Sequence, residues 1–218
     1  MNTQWLSKTY ESSCIVFFNG WGMDSHAVQH LGTEGYDVCM VHNYTDFAEI
    51  PDVHEYKNVI IVAWSMGIWA ANMYCNTYSI SYSKAIAING TGTPMHNEKG
   101  IPNDVFIATS EHWNENTRSR FNMRMCGGKK AYEELGAYMS KRPANEQKTE
   151  LEAIHKKIIR SASPEPIKWN KAIIGENDLI FSSKNQKNYW LDTANSITLP
   201  LPHFPFHLFQ TWKDVLEL

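Results

Sequence analysis

The stretch Val59-Ile60-Ile61-Val62-Ala63-Trp64-Ser65-Met66-Gly67 constrains this chain more than any other. Four consecutive β-branched residues predict a strand buried on both faces. Ile68-Trp69-Ala70-Ala71-Asn72-Met73-Tyr74, free of Gly and Pro, reads as the helix that follows. The backbone must reverse between the two within a few residues, which lifts the Ser65 hydroxyl out of the sheet at the open N-terminus of that helix. This is the pattern of a nucleophile elbow, whose usual form is G-x-S-x-G. Ala63 stands in place of the first Gly, where strand and helix pass closely and need a small residue, and Gly67 keeps the second. Ser65 also fits a plainer role as the N-cap of the helix. The chemistry therefore depends on whether the rest of the chain supplies partners.

Cys14-Ile15-Val16-Phe17-Phe18 is a short apolar strand closed by the turn Asn19-Gly20-Trp21-Gly22, after which Asp24-Ser25 can cap a helix to about Leu31. Val38 to Val41 is a second strand and Ala85 to Ile88 a fourth, which ends in Asn89-Gly90-Thr91-Gly92-Thr93-Pro94. No Lys-Ser/Thr follows those glycines, so they make a strand-exit turn and not a phosphate cradle. Ile167 to Ile174 is a strand running into Gly175-Glu176-Asn177-Asp178, Ser183 opens a helix to about Trp190, Ser196 to Leu199 is the last strand, and residues 206–218 read as a closing helix. Strands alternating with helical stretches predict an α/β fold, a mainly parallel sheet flanked by helices. In such a sheet the site lies at the carboxyl ends of the strands.

A chain of 218 residues, 43% of them hydrophobic, fits one domain with a single core. From about residue 116 to 160 the strand pattern gives way to amphipathic helical pieces broken at Gly127-Gly128 and Pro143, an insertion expected to act as a lid between core segments 1–115 and 161–218. Over residues 117–160 eleven basic side chains stand against five acidic ones, in a protein whose net charge is −3. That segregation either keeps a solvated surface soluble or steers an acidic macromolecule. The overall charge gives no reason to expect nucleic acid or an anionic membrane as partner. Cys14, Cys39, Cys75 and Cys126 are far apart and look like reduced core thiols. The first residues lack the apolar core of a secretion signal and no run nears the ~18 apolar residues of a membrane span, so a cytoplasmic protein is expected.

A serine hydroxyl needs a base within hydrogen-bond reach and a carboxylate behind it to fix the imidazole. Asp178 and His203 each follow a late strand, at the same sheet edge as Ser65, and the order Ser, Asp, His is that of α/β-hydrolases. Taken singly, Asp178 could serve an Asx turn and His203 a loop between prolines. His207 is the rival base, but it falls in the closing helix. Pro205 separates the two histidines, and no third ligand accompanies them, so neither metal nor cofactor is expected. The oxyanion donors should be the backbone N–H groups of Trp21 and Met66. Trp21, Met23, Trp64, Met66 and Phe204 would line an apolar pocket.

Asn19-Gly20-Trp21-Gly22-Met23, Ala63-Trp64-Ser65-Met66-Gly67, Gly175-Glu176-Asn177-Asp178 and His203-Phe204-Pro205-Phe206 together resemble the pimeloyl-acyl carrier protein methyl ester esterases of biotin synthesis. The compact BioG type is the nearer in length and in its Asn-Gly-Trp-Gly turn; the BioH type has His-Gly-Trp-Gly and Gly-Trp-Ser-x-Gly. The resemblance covers roughly residues 13–95 and 168–215, and the lid matches only in being helical and basic. It implies hydrolysis of the methyl ester of pimeloyl-carrier protein, with Ser65 as nucleophile, His203 as base, Asp178 as orienting acid, and Trp21 and Met66 as oxyanion donors. The partner implied is acyl carrier protein. Arg118, Arg120 and Arg124 are its expected contacts, chosen by charge alone. A general carboxylesterase or thioesterase with the same triad, or a catalytically silent α/β-hydrolase, would share these motifs, and the oligomeric state is left open.

Overall fold

The computed structural model describes residues 1–46, 53–161 and 163–218. Strands β1 (Asn2–Ser7), β2 (Ser13–Phe18), β3 (Asp37–His42), β4 (Asn58–Trp64), β5 (Lys84–Ile88), β6 (Lys171–Gly175) and β7 (Ser196–Leu199) form one sheet in the order β1-β3-β2-β4-β5-β6-β7. All neighbours run parallel except β1, which is antiparallel to β3. β4 lies at the centre, with Val62 between Phe17 of β2 and Ile86 of β5. Val59, Ile61, Val62, Ala63 and Trp64 are all buried, as a strand covered on both faces requires. This is the α/β-hydrolase architecture.

Helices α1 (Gly67–Tyr78), α6 (Ser183–Trp190) and α7 (Trp212–Glu217) flank the sheet, and α2 (Asn103–Glu111), α3 (Glu115–Met125), α4 (Lys129–Glu134) and α5 (Ala144–Arg160) fill the interval between β5 and β6. The helical stretch thus begins at Asn103, earlier than the sequence pattern indicates. α2 escapes that pattern because Phe106 is its one buried large side chain. β1 escapes it for a similar reason: Asn2, Thr3, Gln4 and Ser7 dilute its apolar content, and it is covered only as an edge strand.

Three expected elements are shorter than the sequence suggests. After Asp24 there is only a 3-10 turn, Ser25–Ala27, because the Asp24 carboxylate is shared between the His26 N–H (3.0 Å) and the Lys141 N–H (2.8 Å). The closing helix is divided into a 3-10 turn at Phe206–Leu208 and α7, since Thr211 and Asp214 form a capping box that starts a new helix. β6 begins at Lys171, while Ile167 donates its N–H to the buried Asn72 side chain instead of to the sheet. All four cysteines are buried and unbridged. Burial pushes the thiols of Cys14, Cys75 and Cys126 up to about 12, so they are inert core groups. Among the described residues no helix is long and apolar enough to cross a membrane, and no group of acidic, His and Cys side chains is arranged to hold a metal.

Candidate active site

Ser65 sits between the end of β4 and the start of α1 with φ at 59°, in the left-handed region that an L-residue occupies only when its surroundings force it. Its N–H donates to the Ile88 carbonyl at 3.0 Å, which ties the elbow to β5. Two glycines let the backbone close around it: a Cβ on Gly67 would lie 2.2 Å from the Phe18 carbonyl oxygen, and one on Gly90 would lie 2.5 Å from that of Ser65. Ala63, by contrast, accommodates its methyl group fully buried at the end of β4.

The structure brings Ser65, His203 and Asp178 together. Nε2 of His203 lies 3.0 Å from Ser65 Oγ, and Nδ1 lies 2.8 Å from Asp178 Oδ2. Asp178 is itself fixed: Oδ1 accepts from the N–H groups of Ile180 (2.8 Å) and Phe181 (2.9 Å), and Oδ2 also accepts from Gln186 Nε2 (3.0 Å). A carboxylate can only accept from Nδ1–H, which leaves Nε2 with its lone pair toward the serine hydroxyl. Phe181 stacks on the imidazole with 6.0 Å between ring centres. All three polar side chains are buried.

Two residues that the sequence did not single out hold this arrangement. Asn89, at the end of β5 with φ at 48°, donates through Nδ2 to the carbonyls of Pro202 (2.7 Å) and His203 (3.0 Å), and its Oδ1 accepts from the Gly175 N–H (2.6 Å). It therefore fastens the histidine loop to the ends of β5 and β6. Gln186, on α6, orients the Asp178 carboxylate. The signal for Asn89 was a polar residue directly after a buried strand, which a simple exit turn explains equally well. The imidazole between Ser65 and Asp178 is that of His203, not His207. His207 stacks on Phe204, and burial lowers its pKa.

In the turn after β2, the N–H groups of Asn19, Gly20, Gly22 and Met23 donate to Val41 O, Asn19 Oδ1, Glu150 Oε2 and Gly20 O, at 2.9 to 3.3 Å. Trp21 is the exception: among the described residues its N–H meets no acceptor, and neither does that of Met66 at the head of α1. A Cβ on Gly20 would lie 3.4 Å from Ser65 Cβ, so this turn runs beside the serine.

A narrow apolar cleft lined by Trp21, Met66, Ile101, Phe106, Leu151 and Ile180 opens outward between α2 and α3. Val105, Thr109, Phe121 and Arg124 also line the outer groove, whose volume is about 330 Å³ and whose wall includes Trp113 and Arg120. Of the expected pocket residues, Trp21 and Met66 face this cleft. Met23, Trp64 and Phe204 do not: Trp64 Nε1 donates to the His203 carbonyl at 2.8 Å and its ring packs on Phe204, so both support the histidine loop, and Met23 is core. Of the three arginines, Arg120 and Arg124 line the groove, and Arg124 Nη2 also donates to the Leu179 carbonyl at 2.6 Å. Arg118 is not part of that wall; it donates to the Arg142 carbonyl (2.9 Å) and pairs with the exposed Glu115 carboxylate (2.6 Å).

The model of a family described as "Pimeloyl-ACP methyl esterase BioG" matches residues 1–215. The crystal structure of BioG from Haemophilus influenzae superposes with a TM-score of 0.92, at 32% identity, over 98% of this chain and 99% of that one. A Bacteroides fragilis protein named malonyl-[acyl-carrier protein] O-methyltransferase is 37% identical over 185 residues; this is 84% of the present chain and 37% of that protein, so the chain spans little more than a third of that relative's length. The crystal structure of a lipase-esterase related protein from Clostridium acetobutylicum shares the fold at a TM-score of 0.64 and 15% identity, over 99% and 96% of the two chains.

Proposed function

The chain belongs to the BioG family of pimeloyl-ACP methyl esterases, carboxylic ester hydrolases of α/β-hydrolase fold, and from that premise we propose that it hydrolyses the methyl ester of a pimeloyl group held on acyl carrier protein. Ser65 attacks the ester carbonyl and gives its proton to His203 Nε2, while Asp178 keeps the imidazole in the required tautomer. The tetrahedral oxyanion accepts from the N–H groups of Trp21 and Met66, the second of them at the positive end of α1. Collapse expels the methoxy group, which leaves as methanol with the proton from His203. Water, deprotonated by the same nitrogen, then attacks the acyl-serine to free the carboxylate and restore Ser65.

The observation that carries this reading is the chain of contacts from Asp178 through His203 to Ser65, 2.8 and 3.0 Å, with Met66, the residue after the serine, in the wall of the cleft. The methyl ester is the far end of a carrier-bound acyl chain, so the rest of the chain has to leave outward. The apolar groove between α2 and α3 suits its methylenes, and Arg120 and Arg124 suit the phosphate of the carrier's prosthetic arm or the acidic carrier itself. In this reading residues from about 116 to 160 are the lid of a single hydrolase domain. The test is release of methanol from carrier-bound pimeloyl methyl ester by the wild type and by Ser65→Ala. The wild type should turn over, and the variant should lose more than about a hundredfold, because removing a nucleophile costs up to ~10⁶ in rate. Cleavage of the thioester instead, with the methyl ester intact, would make the protein a thioesterase.

A further inference from the structure

α5 buries Ala144, Gln147, Glu150, Leu151 and Ile154 along one face, and two of these five are polar. Burying an amide and a carboxylate where Leu would fit is costly unless every bond is made, and here the bonds converge on one place. The Gln147 side chain donates through Nε2 to the Gly22 carbonyl (2.8 Å) and accepts from Trp113 Nε1 (3.3 Å), and its main-chain carbonyl accepts from Trp21 Nε1 (2.8 Å). Glu150, fully buried, accepts from the N–H groups of Gly22 (3.3 Å) and Tyr44 (3.0 Å) and from Arg142 Nη1 (2.5 Å). Gly22 has φ at +72°, a left-handed conformation open to glycine, and the polar groups that this turn buries need partners from outside it. Those partners come from the helical insertion: both polar groups of Gly22 and the indole of Trp21 are bonded to α5.

We propose that Gln147 and Glu150 are positioning residues that aim the Trp21 N–H at the reaction centre, so that the insertion, beyond covering the site, sets half of the oxyanion hole. This rests on the assignment of Trp21 as an oxyanion donor. The variants are Gln147→Met, which keeps volume but deletes both side-chain bonds, and Glu150→Gln, which keeps shape and one carbonyl oxygen. A small neutral ester is the substrate, so that carrier recognition plays no part. Deleting a donor from such a hole costs about 10²–10³ in kcat, and misaiming one costs a share of that. kcat should fall about tenfold to a hundredfold in Gln147→Met, with KM within about twofold of wild type. The inhibition constant of an aryl trifluoromethyl ketone, whose hemiketal oxyanion on Ser65 needs the same donor, should rise by the factor by which kcat/KM falls. A kcat within twofold of wild type would overturn the proposal, as would a lower kcat with unchanged affinity for the ketone. Should Glu150→Gln fail to fold, Gln147→Met, which leaves the Arg142–Glu150 pair intact, decides alone. Ser65→Ala in the same assay separates the two readings. If it retains turnover, the serine mechanism fails and takes this proposal with it; if it is inactive while Gln147→Met is unimpaired, only the positioning role is lost.

Discussion

Asn89 stands outside the Ser65–His203–Asp178 chain of contacts, yet three of its hydrogen bonds decide where the histidine loop lies. Truncating it frees the loop at Pro202 and leaves the His203 carbonyl with Trp64 Nε1 alone. Asn89→Ala should lower kcat about tenfold, given that small misplacements of reacting groups cost up to ~100-fold, and stability by about 1–3 kcal/mol for the unpaired groups left inside. Asn89→Asp should be worse than Asn89→Ala, because a carboxylate would then face two carbonyl oxygens. Steady-state kinetics on a small ester beside thermal melts would show both effects. The meeting of Ser65, His203 and Asp178 was legible in the chain because each of the three follows a strand, at one edge of the sheet. Asn89, Gln186, Gln147 and Glu150 were not, because each bonds groups on another element, backbone or side chain, that only the folded chain brings within reach, and neither spacing nor residue type announces such a bond.

At the level of elements, the sequence spoke clearly wherever burial was two-sided. β4 reads as a strand because Val59, Ile61 and Val62 have core on both faces, and α1 because Gly67 and the apolar run behind it admit nothing else. It was silent for β1 and α2, where one thin apolar face does the packing, and misleading for residues 206–218, where the Thr211–Asp214 cap outweighs a helical pattern. Asp37 shows what holds the β1 edge in place. At the start of β3 its carboxylate accepts from the Thr9 N–H (2.7 Å), Thr9 Oγ1 (3.1 Å), the Tyr10 N–H (3.1 Å) and the Tyr56 hydroxyl (2.7 Å). Burial pushes its pKa up, but the hydrogen bonds from Tyr56 and Thr9 outweigh burial and hold it below the ordinary 3.8. The unfolded chain therefore binds this proton more tightly than the folded one. The stabilisation is complete above the unfolded value and is lost as pH falls through the folded one. Asp37→Asn should cost about 1–3 kcal/mol at pH 7, and its deficit against wild type should shrink below pH ~4. Urea unfolding at pH 7 and pH 3 measures that closing gap.

Over the whole molecule, charge is segregated: the segment 117–160 has six more basic than acidic side chains while the chain as a whole is −3. One unit of that surplus is offset at its edge, where Arg118 pairs with Glu115, while the Arg142–Glu150 pair cancels within the count. If the remainder steers an acidic carrier, raising salt from about 50 to 500 mM, which shortens the Debye length from roughly 14 to 4 Å, should lower kcat/KM on the carrier-bound ester several-fold. A small neutral ester should be hydrolysed at nearly the same rate in both, and equal sensitivity would return these charges to a solubility role. The strand order has a different consequence. β2 to β5 can pair as soon as they are made, whereas β6 and β7 must be added one after the other to the far side of β5, and they bring Asp178 and His203 with them. On a chain emerging from the ribosome N-terminus first, Ser65 is thus in place long before the two side chains it meets. Under the proposed mechanism, hydrolytic power arrives with the last strand, and a nascent or C-terminally clipped molecule would hold a mute nucleophile.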